Sequence, residues 1–204
     1  MDTQPLILKS KTPPLFAFIF LVFFGLVWNG LTSVFVTMAV KSWGTNKPEI
    51  FLTLFMIPFV LVGLGVIIGA VFAFLKLFNP KVTVALANPE VRLGGLLQFG
   101  WIFQGKKERI ESLEILLEAK EEATYRHGTS TSTDRDTFFR QEIIKTTDRF
   151  QISEGRTEIP IPAGLVPTLK SSNNRIVWTL RVRGVISRWP DVDEEFELAV
   201  LPIS

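Results

Sequence analysis

The sequence predicts a membrane α-helical hairpin of two transmembrane helices, followed by an all-β sandwich. Three observations carry that reading. Two long charge-free apolar runs lie before residue 80, only nine residues separate them, and short alternating segments divided by turn signals fill the chain after residue 82. The expected organisation is an N-terminal tail over 1–14, a hairpin over 15–78 with helices at 15–40 and 50–76, and a soluble β domain over 82–204.

The first run, Leu15 to Val40, holds 26 uncharged residues, and the second, Ile50 to Leu75, holds 26 more and stops at Lys76. About 20 apolar residues cover a hydrocarbon core of about 30 Å, so both runs are long enough. Pro13-Pro14 suits the first turn of a helix, and Asn79-Pro80 closes the second. The first run is longer than a signal-peptide core and is dominated by bulky Phe and Val, so it is expected to be retained. The link Lys41–Glu49 is too short for a domain, which makes the helices antiparallel neighbours. Trp28 lies inside the first run, whereas Trp43 lies just outside it, where an aromatic belt is expected.

Charge is divided along the chain. Residues 1–81 hold six Lys against Asp2 and Glu49, and residues 82–204 hold 16 Lys and Arg against 18 Asp and Glu. The basic excess behind the pI of about 9.0 therefore flanks the apolar runs. There it orients a membrane protein, and no nucleic-acid partner is expected. Lys9, Lys11, Lys76, Lys81 and Arg92 outnumber Lys41 and Lys47 in the link. That bias places both termini and the β domain in the cytoplasm, with the hairpin in the inner (cytoplasmic) membrane.

Polar and small residues inside the runs mark helix packing. Asn29 and Gly30 sit mid-way along the first, and Gly65 and Gly69 form a small-xxx-small pair in the second. Packing of the hairpin on itself is the simpler expectation, and contact with another subunit is the functional one. Pro58 is expected to kink the second helix. No ionisable residue lies inside either run, which argues against a proton or ion path.

In the β domain, Ile176, Trp178, Leu180 and Val182 alternate with more polar neighbours over Arg175–Arg188, as on a half-buried strand. Glu195–Leu201, Leu96–Phe103, Lys81–Leu86 and Thr157–Ile161 are further strand candidates. Glu108–Ala123 is ambiguous. Ile110, Leu113, Leu116 and Leu117 fit helical spacing and the Glu, Lys and Ala content favours a helix, while Leu113, Ile115, Leu117 and Ala119 fit a strand. Periodicity slightly prefers the helix. His127–Asp136 reads as a polar loop or hairpin tip, and Pro160–Asn174 as a long irregular crossover. Short strands joined by long crossovers indicate a sandwich.

Chemistry is sparse. With no Cys and one His, the common zinc sets cannot form. No Gly-x-Ser-x-Gly elbow, complete phosphate-binding loop or dinucleotide fingerprint is present. Asp191, Asp193, Glu194 and Glu195 could hold a hard cation through oxygen ligands, though a solvated turn is the simpler reading. No cofactor and no enzymatic activity are expected, and a carboxylate–metal enzyme is the distant alternative. The segment Tyr125–Phe139 is the candidate partner contact, because Tyr125, Arg126, Arg135, Phe139 and Arg140 are residue types favoured at binding surfaces.

Five stretches carry a resemblance: Trp28-Asn-Gly30 with Phe55-Met-Ile-Pro-Phe-Val-Leu-Val-Gly-Leu-Gly65, Glu121–Asp134, Asn174–Gly184, and Trp189-Pro-Asp-Val-Asp193. The chain resembles an uncharacterised bacterial family of two-helix membrane proteins with a domain of unknown function and an arrestin-like, immunoglobulin-like C-terminal β-sandwich. In that family a soluble domain often separates the helices, and here nine residues stand in its place. The resemblance implies a strand at Glu108–Ala123, against the periodicity, and carries no activity. A membrane-anchored sandwich without catalytic groups implies a non-enzymatic accessory subunit or scaffold that binds another membrane or cytoplasmic protein, or itself. A hairpin packed into a larger complex or transporter is the alternative.

Overall fold

The computed structural model describes residues 6–10, 14–45, 47–127 and 130–203, the side chains of Pro14, His127 and Ser130 apart. Lys11, Pro13, Asn46, Gly128 and Thr129, which entered the readings above, lie outside the described residues. The chain divides into a helical unit, Pro13–Phe78, and a β unit made of Met1–Thr12 together with Asn79–Ser204.

In the helical unit, α1 spans Pro14–Gly44 and α2 spans Ile50–Lys76, with 31 and 27 residues. At 1.5 Å per residue they measure about 46 and about 40 Å, more than a hydrocarbon core. The first helix continues past Val40 through Gly44, so the connecting turn is shorter than expected. The Glu49 backbone N–H donates to Ser42 Oγ at 3.0 Å across that turn. The most apolar windows of α1 and α2 are 0% and 11% buried within the protein, unlike the core helix of a soluble domain. The second helix runs unbroken through Pro58.

The β unit begins before the helices. Strand β1, Leu6–Leu8, lies inside the 1–14 segment and pairs antiparallel with β2, Lys81–Leu86. After β2 come β3 (Val91–Arg92), β4 (Leu96–Gln104), a 3-10 turn at Lys107–Arg109, β5 (Ile110–His127) and β6 (Ser130–Thr146). Helix α3 (Arg149–Ser153) leads into β7 (Glu154–Pro160), β8 (Leu169–Lys170), β9 (Asn174–Ile186), β10 (Val192–Leu198) and β11 (Val200–Leu201). One sheet has the order β1-β2-β4-β7 and the other β10-β9-β5-β6, with β8 alongside β9 and a small parallel pair of β11 with β3.

The two sheets form a sandwich because their inward faces share one core. Val84, Leu97, Phe99 and Phe103 of the first sheet belong with Leu113, Ile115, Leu117, Trp178, Leu180 and Phe196 of the second. Each set recurs every second residue, as pleated strands require. At about 25 cal/mol per Å² of apolar surface, this burial is the main stabilising term of the unit.

The helical preference at Glu108–Ala123 is overturned, and the strand wins. Leu113, Ile115, Leu117 and Ala119 are fully buried between β9 and β6, a period of two that no helix could satisfy against a sheet. Of the polar run, His127 ends β5 and Ser130–Asp136 begin β6, so the described residues lie in the distal part of a long strand pair and not in a loop. A register shift beside Ala119 leaves Phe138 unpaired. Phe139 therefore turns inward onto Trp178, with ring centroids 5.6 Å apart, while Phe138 stays exposed.

Candidate functional site

The outer face of the second sheet carries a ladder of charge. The alternation that buries Leu117 and Ala119 forces Glu118, Lys120 and Glu122 to the opposite side. Strands β9 and β6 bring cations beside them in register, with Glu118 opposite Arg140, Glu122 opposite Arg135, and Glu122 also opposite Arg175. Glu118 is fully buried and Glu122 nearly so, since the aliphatic stems of the long basic side chains cover them.

The contacts are short. Arg140 Nε donates to Glu118 Oε1 at 2.7 Å, and Lys120 Nζ lies 2.8 Å from Glu118 Oε2 and 3.1 Å from Glu195 Oε1. Arg135 Nε donates to Glu122 Oε1 at 3.1 Å, and Arg175 reaches Glu122 Oε2 at 2.5 Å. Burial pushes the Glu118 carboxyl up, but Lys120 and Arg140 outweigh it and hold its pKa below the usual carboxylate range. Lys120 is shifted the other way: burial lowers it, and Glu118 and Glu195 together raise it above its ordinary value. Asp193, bidentate on Arg181 at 2.8 and 2.7 Å, raises that guanidinium's pKa. Beside the ladder, the buried Thr179 hydroxyl finds no hydrogen-bond partner among the described residues.

The candidate contact residues fall on one hairpin but in different environments. Tyr125 is exposed, and its hydroxyl donates to Asp134 at 3.1 Å; Arg126 is exposed at the far end of β5. Arg135 and Arg140 hold the buried carboxylates, and Phe139 is packed on Trp178. Beyond Thr124, whose N–H donates to Asn173 O at 2.6 Å, strand β5 has only β6 beside it among the described residues, so the distal strands run past the rest of the sheet.

The acidic run after Pro190 is dispersed. Asp191 accepts from the Ile186 N–H and Arg183, Asp193 binds Arg181, Glu194 accepts from Ser10 Oγ, and Glu195 binds Lys120. Among the described residues no three potential metal ligands cluster. The spacing Gly100–Gly105–Lys106 approximates a phosphate loop, but Gly100 sits in the extended strand β4 and Lys107 stands where a hydroxyl is needed.

In the helical unit, the Asn29 amide donates to Gly25 O at 2.9 Å and reaches Gly63 O across the pair at 3.5 Å. A Cβ at Gly63 would collide with that amide. Gly63 is therefore the glycine that the helix pair requires. Gly69 faces Leu21, whereas Gly30 and Gly65 open onto empty space. Trp28 Nε1 donates to Phe59 O at 3.0 Å, and Trp43 Nε1 to Thr53 Oγ1 at 3.0 Å.

No protein-family model matches the chain, and no curated protein matches it. Among solved structures, the chain is similar to the sporulation control protein Spo0M from Bacillus subtilis, at 12% identity and a TM-score of 0.43. The match takes in 61% of this chain and 50% of that one. The two-sheet architecture described above stands on the chain's own strand pairing and core, not on that likeness.

Proposed function

We propose that the chain is a membrane-anchored β-sandwich that binds another protein as a non-enzymatic accessory subunit or scaffold, its hairpin in the inner membrane and its sandwich on the cytoplasmic side. The observation that supports this best is the free outer edge of β6. Strand β6 is 17 residues long and pairs only with β5 among the described residues, and its distal part stands clear of the sheet. An exposed edge offers backbone N–H and C=O groups to an incoming strand. Exposed Tyr125, Arg126 and Phe138 flank it with groups suited to an interface.

The test is photo-crosslinking of the full-length protein in its native membrane. A crosslinker at Thr131 or Thr133 on β6 should trap one partner of defined mass, and one at Ile203, away from this edge, should not. Equal and diffuse labelling from all three positions would refute the proposal.

The alternative, a hairpin that packs into a larger membrane complex, is favoured by one observation: Gly30 and Gly65 leave open notches on the helix surfaces that nothing among the described residues fills.

A further inference from the structure

One end of the sandwich gathers four segments that are distant in sequence. Register places the start of β2 beside the end of β4, since Lys81 pairs with Gln104. The β4–β5 turn, the β6–β7 connection through α3, and the β9–β10 turn open at this same end. Side chains tie them together. Arg149 Nη1 donates to Glu108 O at 3.3 Å, the Arg109 guanidinium lies 4.4 Å above the Trp189 ring, and Trp189 Nε1 donates to Asn79 Oδ1 at 2.8 Å. Asn79 Nδ2 in turn donates to Pro190 O at 3.0 Å.

This end is strongly basic, although residues 82–204 carry more acid than base. Over 79–81, 104–109, 145–150 and 186–191 there are seven Lys and Arg against three Asp and Glu. Two of the acids are committed internally, Asp148 to the N-cap of α3 and Asp191 to the Ile186 N–H. Lys81, Lys106, Lys107 and Arg188 enter no ion pair among the described residues. Arg188 sits at φ 57, a conformation that glycine adopts without strain, so a cation stands where a smaller residue would be favoured. Amid this charge, Phe150 is 87% exposed, the most exposed large apolar side chain among the described residues of the β unit.

Chain connectivity keeps this end within a short reach of α2. Asn79 lies three residues beyond the last residue of α2, a reach of about 10 Å, and β1 runs antiparallel to β2, so its last residues point toward this end. We infer that this end is a docking surface for the anionic headgroups of the bilayer that the hairpin spans, with Phe150 inserted among the acyl chains at the interface and Lys81, Lys106, Lys107 and Arg188 on the phosphates. The inference rests on the proposed membrane anchor and adds a second, lipid-selective attachment that fixes the attitude of the sandwich.

The absence of cysteine makes a direct test simple. Full-length Phe150→Cys carries a nitroxide label and is reconstituted in nanodiscs of phosphatidylcholine alone or mixed with phosphatidylglycerol. The ratio of oxygen to nickel-chelate accessibility at the label should rise severalfold in the anionic bilayer. It should fall back when Lys106→Glu, Lys107→Glu and Arg188→Glu are combined. A water-accessible label in both bilayers overturns the inference, and so does a label shielded from both reagents, which would mark a protein contact. A second label at Leu26→Cys separates the two readings. If it reports lipid while position 150 reports water, only the docking surface fails; if it reports water, the anchor fails and the docking surface with it.

Discussion

At the residue scale, polar groups are satisfied by partners far away in sequence. All five Trp indoles find an acceptor: Phe59 O, Thr53 Oγ1, Gln151 O, Val166 O and Asn79 Oδ1. A bulky amphipathic ring buries area only when its N–H is paired, so these contacts position both units. Glu118 is the most consequential single residue. Its pKa is lowered in the folded state from an ordinary 4.5, so its contribution is present above that value and is lost as pH falls through the lowered one. Lys120 acts in the opposite sense, its contribution being complete below 10.5 and lost as pH rises through its raised value. Replacing Glu118 with Gln should therefore destabilise the β unit at neutral pH by about 1–3 kcal/mol, because Lys120 and Arg140 lose their counter-charge. Urea titration of the full-length protein checks this, and the difference from wild type should shrink below pH 4.5. Sequence showed these carboxylates but not their burial, because Glu118 and Glu122 look solvent-facing until β6 and β9 lay arginines over them.

At the element scale, long apolar runs identified both helices, since length and hydropathy are local properties. The ends were harder. The α1 helix absorbs Lys41–Gly44 because no breaker precedes Gly44. Packing within the pair turns on a side chain as well as on spacing. Small-xxx-small spacing marks where backbones can approach, whereas the Asn29 amide decides where they do, and it selects Gly63. Gly63→Ala should loosen the pair by about 0.6–1.7 kcal/mol, and Gly65→Leu should leave the isolated hairpin unchanged. Thermal unfolding of the two variants in detergent separates them. Should Gly65→Leu also dissolve a complex isolated from native membranes, the hairpin is itself an assembly surface. Strand β5 illustrates the opposite case. Its Glu-, Lys- and Ala-rich composition favours a helix locally, and the sheet overrides that preference through side chains supplied from about 60 residues downstream, between Ala119 and Trp178.

At the scale of the whole molecule, the least legible feature is the most informative. Leu6-Ile7-Leu8 is a three-residue run with no signal of its own, yet it forms the edge strand beside β2, and Ser10 bridges onward to Phe196 of the other sheet. Leu6–Ser10 thus stitches the two sheets together along one side. Pairing across nearly 80 residues and two helices cannot be inferred from local pattern, because a strand this short is defined only by its neighbour. The consequence is topological: α1 and α2 leave from and return to one folded unit, so the proposed anchor requires the two helices to cross in opposite directions and bring the chain back to the face it left. Single-cysteine labelling tests this directly in a chain that has no cysteine of its own. In sealed vesicles of either orientation, a membrane-impermeant thiol reagent should reach Ile7→Cys and Ile203→Cys from the same face, the cytoplasmic one. Labelling of the two positions from opposite faces would contradict the anchored sandwich.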